Sequence, residues 1–275
     1  MVLCLMFLNW WLEIRKWQLL VRPYEICSFY KSAQTVLGSL SFGLSTPNRV
    51  GEYGMRSAFM KNNNRKNGVL LTLLSSVAQL LITMAVGTFS VVLLQAINKN
   101  QVGFQIQHSV LFFIGIFLIL LFVLLLAFYF KTTSLLTYFQ RFRFLLPALP
   151  EKAGLQLITN HLRLEVLFLS ILRYMVFALQ QVLVWQVFGA GLETYPAFLT
   201  VACMYLIMAF VPTIALAELG IRGQVAVWVA GIFTNNYLAI ISGTAFVWFL
   251  NLFLPALFGT YFLWNLRHRK KDGKE

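Results

Sequence analysis

The sequence predicts an all-α, polytopic integral membrane protein with inverted-repeat character and two re-entrant or broken helical hairpins. Of its 275 residues, 59% are hydrophobic and 11% are charged, whereas soluble domains carry about 25% charged residues. Several apolar stretches approach or exceed the roughly 20 residues that cross about 30 Å of hydrocarbon. Two polar segments, residues 47–52 and 212–222, interrupt the apolar sequence, and each contains a proline, a glycine, a glutamate and an arginine.

Five apolar stretches are predicted as membrane spans of a single domain that covers residues 1–275. The first span is interrupted, because Glu13, Arg15 and Lys16 follow the apolar run Met1–Leu12. The predicted spans are Val2–Val21, Val69–Ile97, Val110–Phe130, Leu164–Phe188 and Ala239–Leu263.

The distribution of positive charge predicts the orientation of these spans. Most of the 22 Lys and Arg residues form four clusters, which the positive-inside rule places in the cytoplasm together with the basic tail 264–275. The connectors Asn98–Ser109 and Gly189–Tyr195 hold a single cation, Lys99, and are expected on the opposite side. The clusters are Arg15, Lys16, Arg22 and Lys31; Arg56, Lys61, Arg65 and Lys66; Lys131, Arg141, Arg143, Lys152 and Arg163; and Arg267, Arg269, Lys270, Lys271 and Lys274.

The first polar segment is predicted to form the tip of a hairpin. Both of its flanks are basic and so lie on the same side of the membrane. Irregular backbone at membrane depth is tolerated only where it is buried in protein or lines a wet cavity. We therefore expect two half-helices, Gln34–Ser45 and Val50–Phe59, with Pro47 at the tip.

The second polar segment is predicted to form a similar hairpin of opposite orientation. Its half-helices are Leu199–Val211 and Ile221–Phe233, and its tip is Pro212–Gly220. Two complete crossings between residues 199 and 233 fit the predicted orientation equally well, so both arrangements stay open.

The order of spans and hairpins suggests two repeats, one about 1–97 and the other about 110–263. A repeat with three crossings must be followed by its copy upside down, as in many secondary transporters. The first repeat has one span fewer than the second, so we expect that an N-terminal span is missing.

Two motifs resemble the flippase-like membrane domain of bacterial lysylphosphatidylglycerol synthases, which also occurs as a free-standing family. Pro47–Glu52, read as Pro-Asn-Arg-Val-Gly-Glu and followed by Arg56, is similar to its Pro-x-Arg-apolar-Gly-Glu signature, and Arg15–Leu20 is similar to its basic-Trp-x-x-Leu element. Pro212 resembles the start of a second signature, although here Glu218 precedes the arginine, whereas the family's acid follows it.

This resemblance implies translocation of an anionic or modified phospholipid, or of a lipid-linked headgroup, across the bacterial inner membrane, with the C-terminus in the cytoplasm. Because the sequence has no nucleotide-binding or metal-binding motif, no cofactor is expected; a separate synthase or transferase is a candidate partner. The soluble aminoacyl-transfer domain of those synthases has no counterpart in this sequence, so aminoacylation is not expected.

Ten residues are candidates for substrate binding or gating, because a charge inside a membrane costs about 2.5–3.5 kcal/mol and suggests a functional site. Architectural alternatives stay open: Arg49 could pair with Glu52, and Arg173 with Glu52, Glu218 or Glu165. Gln180 shares a helix face with Arg173 and forms a polar strip with it, whereas Gln79 and Asn251 are better explained as interhelical hydrogen-bonding groups. The ten candidates are Pro47, Arg49, Gly51, Glu52, Arg56, Arg173, Pro212, Glu218, Gly220 and Arg222.

Composition and motifs narrow the classes of ligand and function that the sequence allows. The net charge of +13 lies in short loops between apolar spans, which favours lipid headgroups over nucleic acid as its counterpart. Cys4, Cys27 and Cys203 lack metal-ligand spacing, so no metal site is expected. We expect a lipid flippase. The alternatives are a membrane-embedded transferase, with Glu52 or Glu218 as general base, and a non-catalytic partner subunit.

Overall fold

The computed structural model describes residues 1–97, 108–139 and 157–271, and in this part of the chain every regular element is helical. The predicted all-α class is therefore confirmed. The helices are α1 (Val2–Val21), α2 (Phe29–Leu44), α3 (Val50–Ala58), α4 (Arg65–Ile97), α5 (His108–Phe139), α6 (Asn160–Val187), α7 (Thr194–Phe210), α8 (Ala215–Ala230), α9 (Tyr237–Trp248) and α10 (Leu254–Lys271), with 3-10 turns at Pro47–Arg49 and Asn62–Asn64 and a π turn at Phe249–Phe253.

The helices include enough long apolar segments for a multi-pass membrane protein. Four helical stretches are long and apolar enough to cross a membrane, and they overlap four of the predicted spans. The fifth predicted span is α1, an unbroken helix of 20 residues, although three charges interrupt its apolar sequence. Five cations that contributed to the predicted orientation lie outside the described residues: Lys99, Arg141, Arg143, Lys152 and Lys274. The four stretches are Asn62–Ala96, Phe113–Thr132, Asn160–Val187 and Tyr237–Trp264.

The first hairpin consists of α2, the turn at Pro47–Arg49 and α3, as predicted. The side chain of Ser28 caps α2 by accepting a hydrogen bond from the backbone N–H of Lys31. α3 folds back against α2 so closely that a side chain at Gly43 would overlap the side chain of Glu52. The short turn between the two helices therefore sets a tightly packed tip.

The second hairpin consists of α7, residues 211–214 and α8, and its tip is shorter than predicted. The prediction of a tip over Pro212–Gly220 is wrong, because α8 already begins at Ala215; the residues that follow favour helix. Glu218 and Arg222 consequently lie on the first turns of α8. α7 and α8 have 17 and 16 residues, fewer than the roughly 20 that cross a bilayer, which favours a broken hairpin over two crossings.

The tips of the two hairpins are bonded to each other. The backbone N–H of Asn48 donates to the carbonyl oxygen of Thr213 at 2.9 Å, and the N–H of Thr213 donates to Oδ1 of Asn48 at 2.9 Å. Asn48 and Arg49 hold left-handed φ angles of 50° and 55°, a conformation that asparagine tolerates better than most residues. The two polar segments of the sequence thus meet at one point.

The last predicted span, Ala239–Leu263, lies within one long helical stretch, Tyr237–Trp264, that contains a π turn. Pro255 has no amide hydrogen to donate within the helix, and the backbone widens just before it into the π turn. Beyond this turn α10 packs on α2 backbone to backbone, because a Cβ atom at Gly259 would overlap the carbonyl oxygen of Leu37. The π turn therefore separates α9 from a helix that rests on the first hairpin.

Candidate functional site

Glu218 joins the two hairpins through two arginines. Nη2 of Arg49, at the tip of the first hairpin, donates to both carboxylate oxygens of Glu218 at 2.7 and 3.0 Å. Nη2 of Arg222, one turn along α8, donates to the same carboxylate at 2.5 Å. Arg49 thus pairs across the hairpins, and the alternative that it pairs with Glu52 is wrong. We call Arg49, Glu218 and Arg222 the Glu218 triad.

Glu13 is the centre of a second group of charges. Its carboxylate lies 2.9 Å from Nζ of Lys16, 2.9 Å from Nη2 of Arg56 and 2.8 Å from Nη1 of Arg173. Glu13 and Lys16 are 4% and 1% exposed, so this is an interior site. Glu52 adds a second carboxylate, 3.6 Å from Arg56. We call Glu13, Lys16, Arg56 and Arg173 the Glu13 cluster.

Arg173 lies near the middle of α6 and faces the interior, as predicted. Besides Glu13, its guanidinium contacts Oδ1 of Asn9, to which Nε donates at 3.0 Å. It also lies over the rings of Trp10 and Phe177, at 5.9 and 5.3 Å from the ring centroids. The predicted partners Glu52, Glu218 and Glu165 are wrong, and Glu165 instead lies beside His161.

A chain of amides continues from Arg173 through the protein interior. Nδ2 of Asn9 donates to Asn251 at 3.1 Å, and Nδ2 of Asn251 donates to Gln180 at 2.7 Å. Gln79 also bonds between helices, its Nε2 donating to the carbonyl oxygen of Ser170 at 3.4 Å. The predicted role of Gln79 and Asn251 as interhelical hydrogen-bonding groups is confirmed, and Gln180 belongs to the same chain of amides.

Two adjoining cavities lie between the hairpins and α6. The larger, about 640 Å³, extends from Arg49 and Arg173 to Tyr205 on α7. The smaller, about 450 Å³, reaches Glu13 and Lys16. Both are lined by the Glu218 triad and by Arg173, so the charged residues of the two hairpins and of α1 face one polar interior.

The charge of this interior is positive. The smaller cavity is lined by five cations and three carboxylates, a formal excess of two positive charges. Among the cavity cations that form ion pairs, Arg49 is the most accessible, with 35% of its side chain exposed. Arg222 and Arg173 follow at 19% and 16%. The cations are Lys16, Arg49, Arg56, Arg173 and Arg222, and the carboxylates are Glu13, Glu52 and Glu218.

Several buried polar atoms that line the cavities have no hydrogen-bond partner among the described residues. Four of these groups can donate a hydrogen bond, and one, Oε1 of Gln79, can only accept. A buried polar group without a partner is costly, so the cavity walls hold four donors with unused hydrogen-bonding capacity. The four donors are Nε of Arg222, Nε1 of Trp10, Nε1 of Trp248 and the hydroxyl of Tyr174.

The candidate prolines and glycines have different roles. Pro47 begins the first tip, and Pro212 lies in the second tip and lines the larger cavity. A Cβ atom at Gly51 would lie 2.8 Å from Cδ1 of Phe42 and 2.9 Å from Oγ1 of Thr46, so this glycine serves close packing. Gly220 faces open space, so packing does not require a glycine there.

Glu13, Lys16 and Asn9 are site residues that the sequence reasoning did not identify. It interpreted Glu13 and Lys16 as charges that end an apolar run. Their positions at 9, 13 and 16 share one face of a helix, and this spacing was the available signal. The placement of Lys16, Arg56 and Arg163 in loops is wrong, because each is at most 4% exposed and lies within a helix; their position on the cytoplasmic side stays a prediction.

Comparison with protein-family models, with curated proteins and with solved structures finds no match to this chain. The cavity and its charges therefore carry the functional argument. Within the described ranges no group of three or more His, Cys, Asp or Glu residues is placed to hold a metal ion.

Proposed function

We propose that this protein is a lipid transporter that moves the anionic headgroup of a phospholipid through the cavity between its two hairpins. The observation that carries the proposal is the excess of two positive charges in an interior surrounded by apolar helices. Uncompensated cations at membrane depth are costly. A bound anion offsets that cost, because guanidiniums form charge-assisted and often bidentate hydrogen bonds with phosphate.

Arg49 and Arg222 are the proposed ligands of the lipid phosphate. They share the single carboxylate of Glu218, so the triad carries one positive charge in excess. Nε of Arg222 is without a protein partner among the described residues, and Arg49 is the most accessible cation of the cavity that takes part in an ion pair. A phosphate that enters the larger cavity thus meets two guanidiniums with unused hydrogen-bonding capacity.

Phosphate binding is proposed to loosen the contact between the hairpins. A phosphate competes with Glu218 for Arg49, and this ion pair is one of the bonds that join the two tips. Two further bonds between the hairpins join Asn48 and Thr213, one between backbone groups and one accepted by the side-chain oxygen of Asn48. Passage of the headgroup would then coincide with separation of the tips, while the acyl chains stay among apolar groups.

The proposal also includes the family, the membrane location, the substrate and the partner of this protein. The motif at Pro47–Glu52 supports membership of the flippase-like family and a location in the bacterial inner membrane with a cytoplasmic C-terminus. Membrane phospholipids are the proposed substrate, and a separate synthase or transferase is the proposed supplier of a modified headgroup.

Translocation of a headgroup-labelled phosphatidylglycerol in vesicles tests the proposal. The purified protein is reconstituted, and the label in the outer leaflet is destroyed chemically to follow lipid exchange. We expect Arg49→Ala to abolish exchange and Arg22→Gln, an exposed arginine outside the cavity, to leave it unchanged. Full retention of exchange in Arg49→Ala, with a normal melting temperature, would contradict the proposal.

A further inference from the structure

Besides the two cavities, an apolar groove of about 470 Å³ lies between α1, α2 and α10. Its floor is buried, with Met6, Trp10 and Ile14 at 6%, 8% and 6% exposure, whereas its rim is exposed, with Phe7 at 67% and Phe258 at 61%. The groove is therefore open to the surroundings of the helix bundle. Its lining is Met6, Phe7, Leu8, Trp10, Trp11, Ile14, Phe29, Leu37, Leu254, Pro255 and Phe258, which includes no charged residue.

Trp10 forms a wall that the groove shares with the cationic cavity. It lines both spaces. With roughly 100° of rotation per residue, Glu13 and Lys16 lie on one side of α1, Phe7 and Ile14 lie on the adjoining side, and Trp10 lies between them. The indole ring lies 5.9 Å from the Arg173 guanidinium, and its N–H is buried without a partner among the described residues. Tryptophan suits such a boundary because its ring is apolar and its N–H is polar.

The last two helices repeat this division. Residues of α9 and the π turn, from Val247 to Leu252, line the cavity, whereas Leu254, Pro255 and Phe258 line the groove. The π turn thus lies between the residues that line the cavity and those that line the groove. π turns inside helices occur frequently at functional sites.

We propose that the groove holds an acyl chain of the same anionic lipid whose headgroup enters the cavity, with Trp10 as the boundary between chain and headgroup. This inference rests on the proposed function and adds a binding site for an acyl chain of its substrate. An anion alone would use the cavity, whereas an anion with an attached hydrocarbon chain also matches the adjoining apolar groove. The groove would hold the lipid in register while the phosphate contacts the Glu218 triad.

Equilibrium binding in detergent tests the inference with two probes. One is radiolabelled dioleoylphosphatidylglycerol, and the other is glycerol phosphate, which carries the phosphate without chains. Leu8→Trp partly fills the groove at its exposed rim, and Leu120→Trp on α5 is the matched control, since Leu120 is exposed and lines neither space. Gel filtration and the melting temperature report folding, and Leu37→Trp on α2 is a second groove variant.

We expect the groove variants to weaken binding of the lipid by about fivefold, because chain packing consists of many small contacts. Binding of glycerol phosphate should stay unchanged, and Leu120→Trp should alter neither probe. Wild-type lipid affinity in both groove variants would overturn the acyl-chain site and leave the proposed function standing. Equal weakening of both probes would also overturn it, since the effect would then lie in the cavity. Absence of saturable lipid binding by the wild-type protein would overturn the proposed function itself, and the groove site with it.

Discussion

Arg49 and Glu218 are 169 residues apart in the chain, and one guanidinium nitrogen of Arg49 lies 2.7 and 3.0 Å from the two carboxylate oxygens of Glu218. This ion pair joins the tip of the first hairpin to the first turns of α8. Because Arg222 shares the same carboxylate, the pair neutralises one of two adjacent guanidiniums and leaves the other available to an anion.

Glu218→Gln should destabilise the protein more than Arg222→Gln. Loss of the carboxylate leaves two guanidiniums without a counter-charge, which costs about 3–5 kcal/mol for fully buried pairs. Because Arg49 is partly accessible, we expect about 2–3 kcal/mol, as screening reduces the value. Arg222→Gln leaves Glu218 paired with Arg49 and should cost less. Melting temperatures in detergent measure which variant is less stable. A lower melting temperature for Arg222→Gln than for Glu218→Gln would contradict the bridging role of Glu218.

Glu13→Gln should be among the most destabilising single substitutions in this protein. Glu13 is the carboxylate around which Lys16, Arg56 and Arg173 converge, and its removal from an interior site should cost at least about 3–5 kcal/mol. Glu165→Gln is the matched control, because Glu165 is paired with an exposed histidine and surface pairs contribute about 0–1 kcal/mol. Similar melting temperatures of the two variants would mean that the Glu13 cluster does not organise the interior.

Gly51→Ala and Gly220→Ala should have opposite effects, although both glycines belong to the polar segments. The added methyl group at Gly51 meets Phe42 and Thr46 at less than 3 Å, and such overpacking typically costs about 1–3 kcal/mol. Gly220 lies on α8 with open space around it, so alanine there should stabilise the helix by up to about 1 kcal/mol. Thermal unfolding of both variants checks the sign of each effect.

The sequence was sufficient to predict the two helical hairpins and the tip of the first, whereas the second tip is shorter than predicted. Helix breakers at Pro47 and Pro212 within apolar sequence indicated the breaks, and a charge at mid-helix indicated that Arg173 faces the interior. These inferences depend on local chemistry and on the cost of charges in a membrane.

The partners of those charges could not be predicted in the same way. Which glutamate meets Arg49 or Arg173 depends on how helices far apart in the chain are packed, and spacing within one helix suggested Glu52 for Arg49. Glu13 and Lys16 were misinterpreted because charges near the end of an apolar run also occur at membrane interfaces. In the structure Glu13 and Lys16 form ion pairs inside the protein. Buried charges can be tolerated when they are paired in this way.

The most direct test of the central claim compares translocation of phosphatidylglycerol, which is anionic, with that of phosphatidylethanolamine, which is zwitterionic, in the same vesicles. The positive excess of the cavity predicts that the wild-type protein moves phosphatidylglycerol faster. Arg222→Gln removes one positive charge from the triad and leaves Glu218 paired, so the ratio of the two rates should fall toward one. Equal rates for both lipids in the wild-type protein, or an unchanged ratio in Arg222→Gln, would contradict the account.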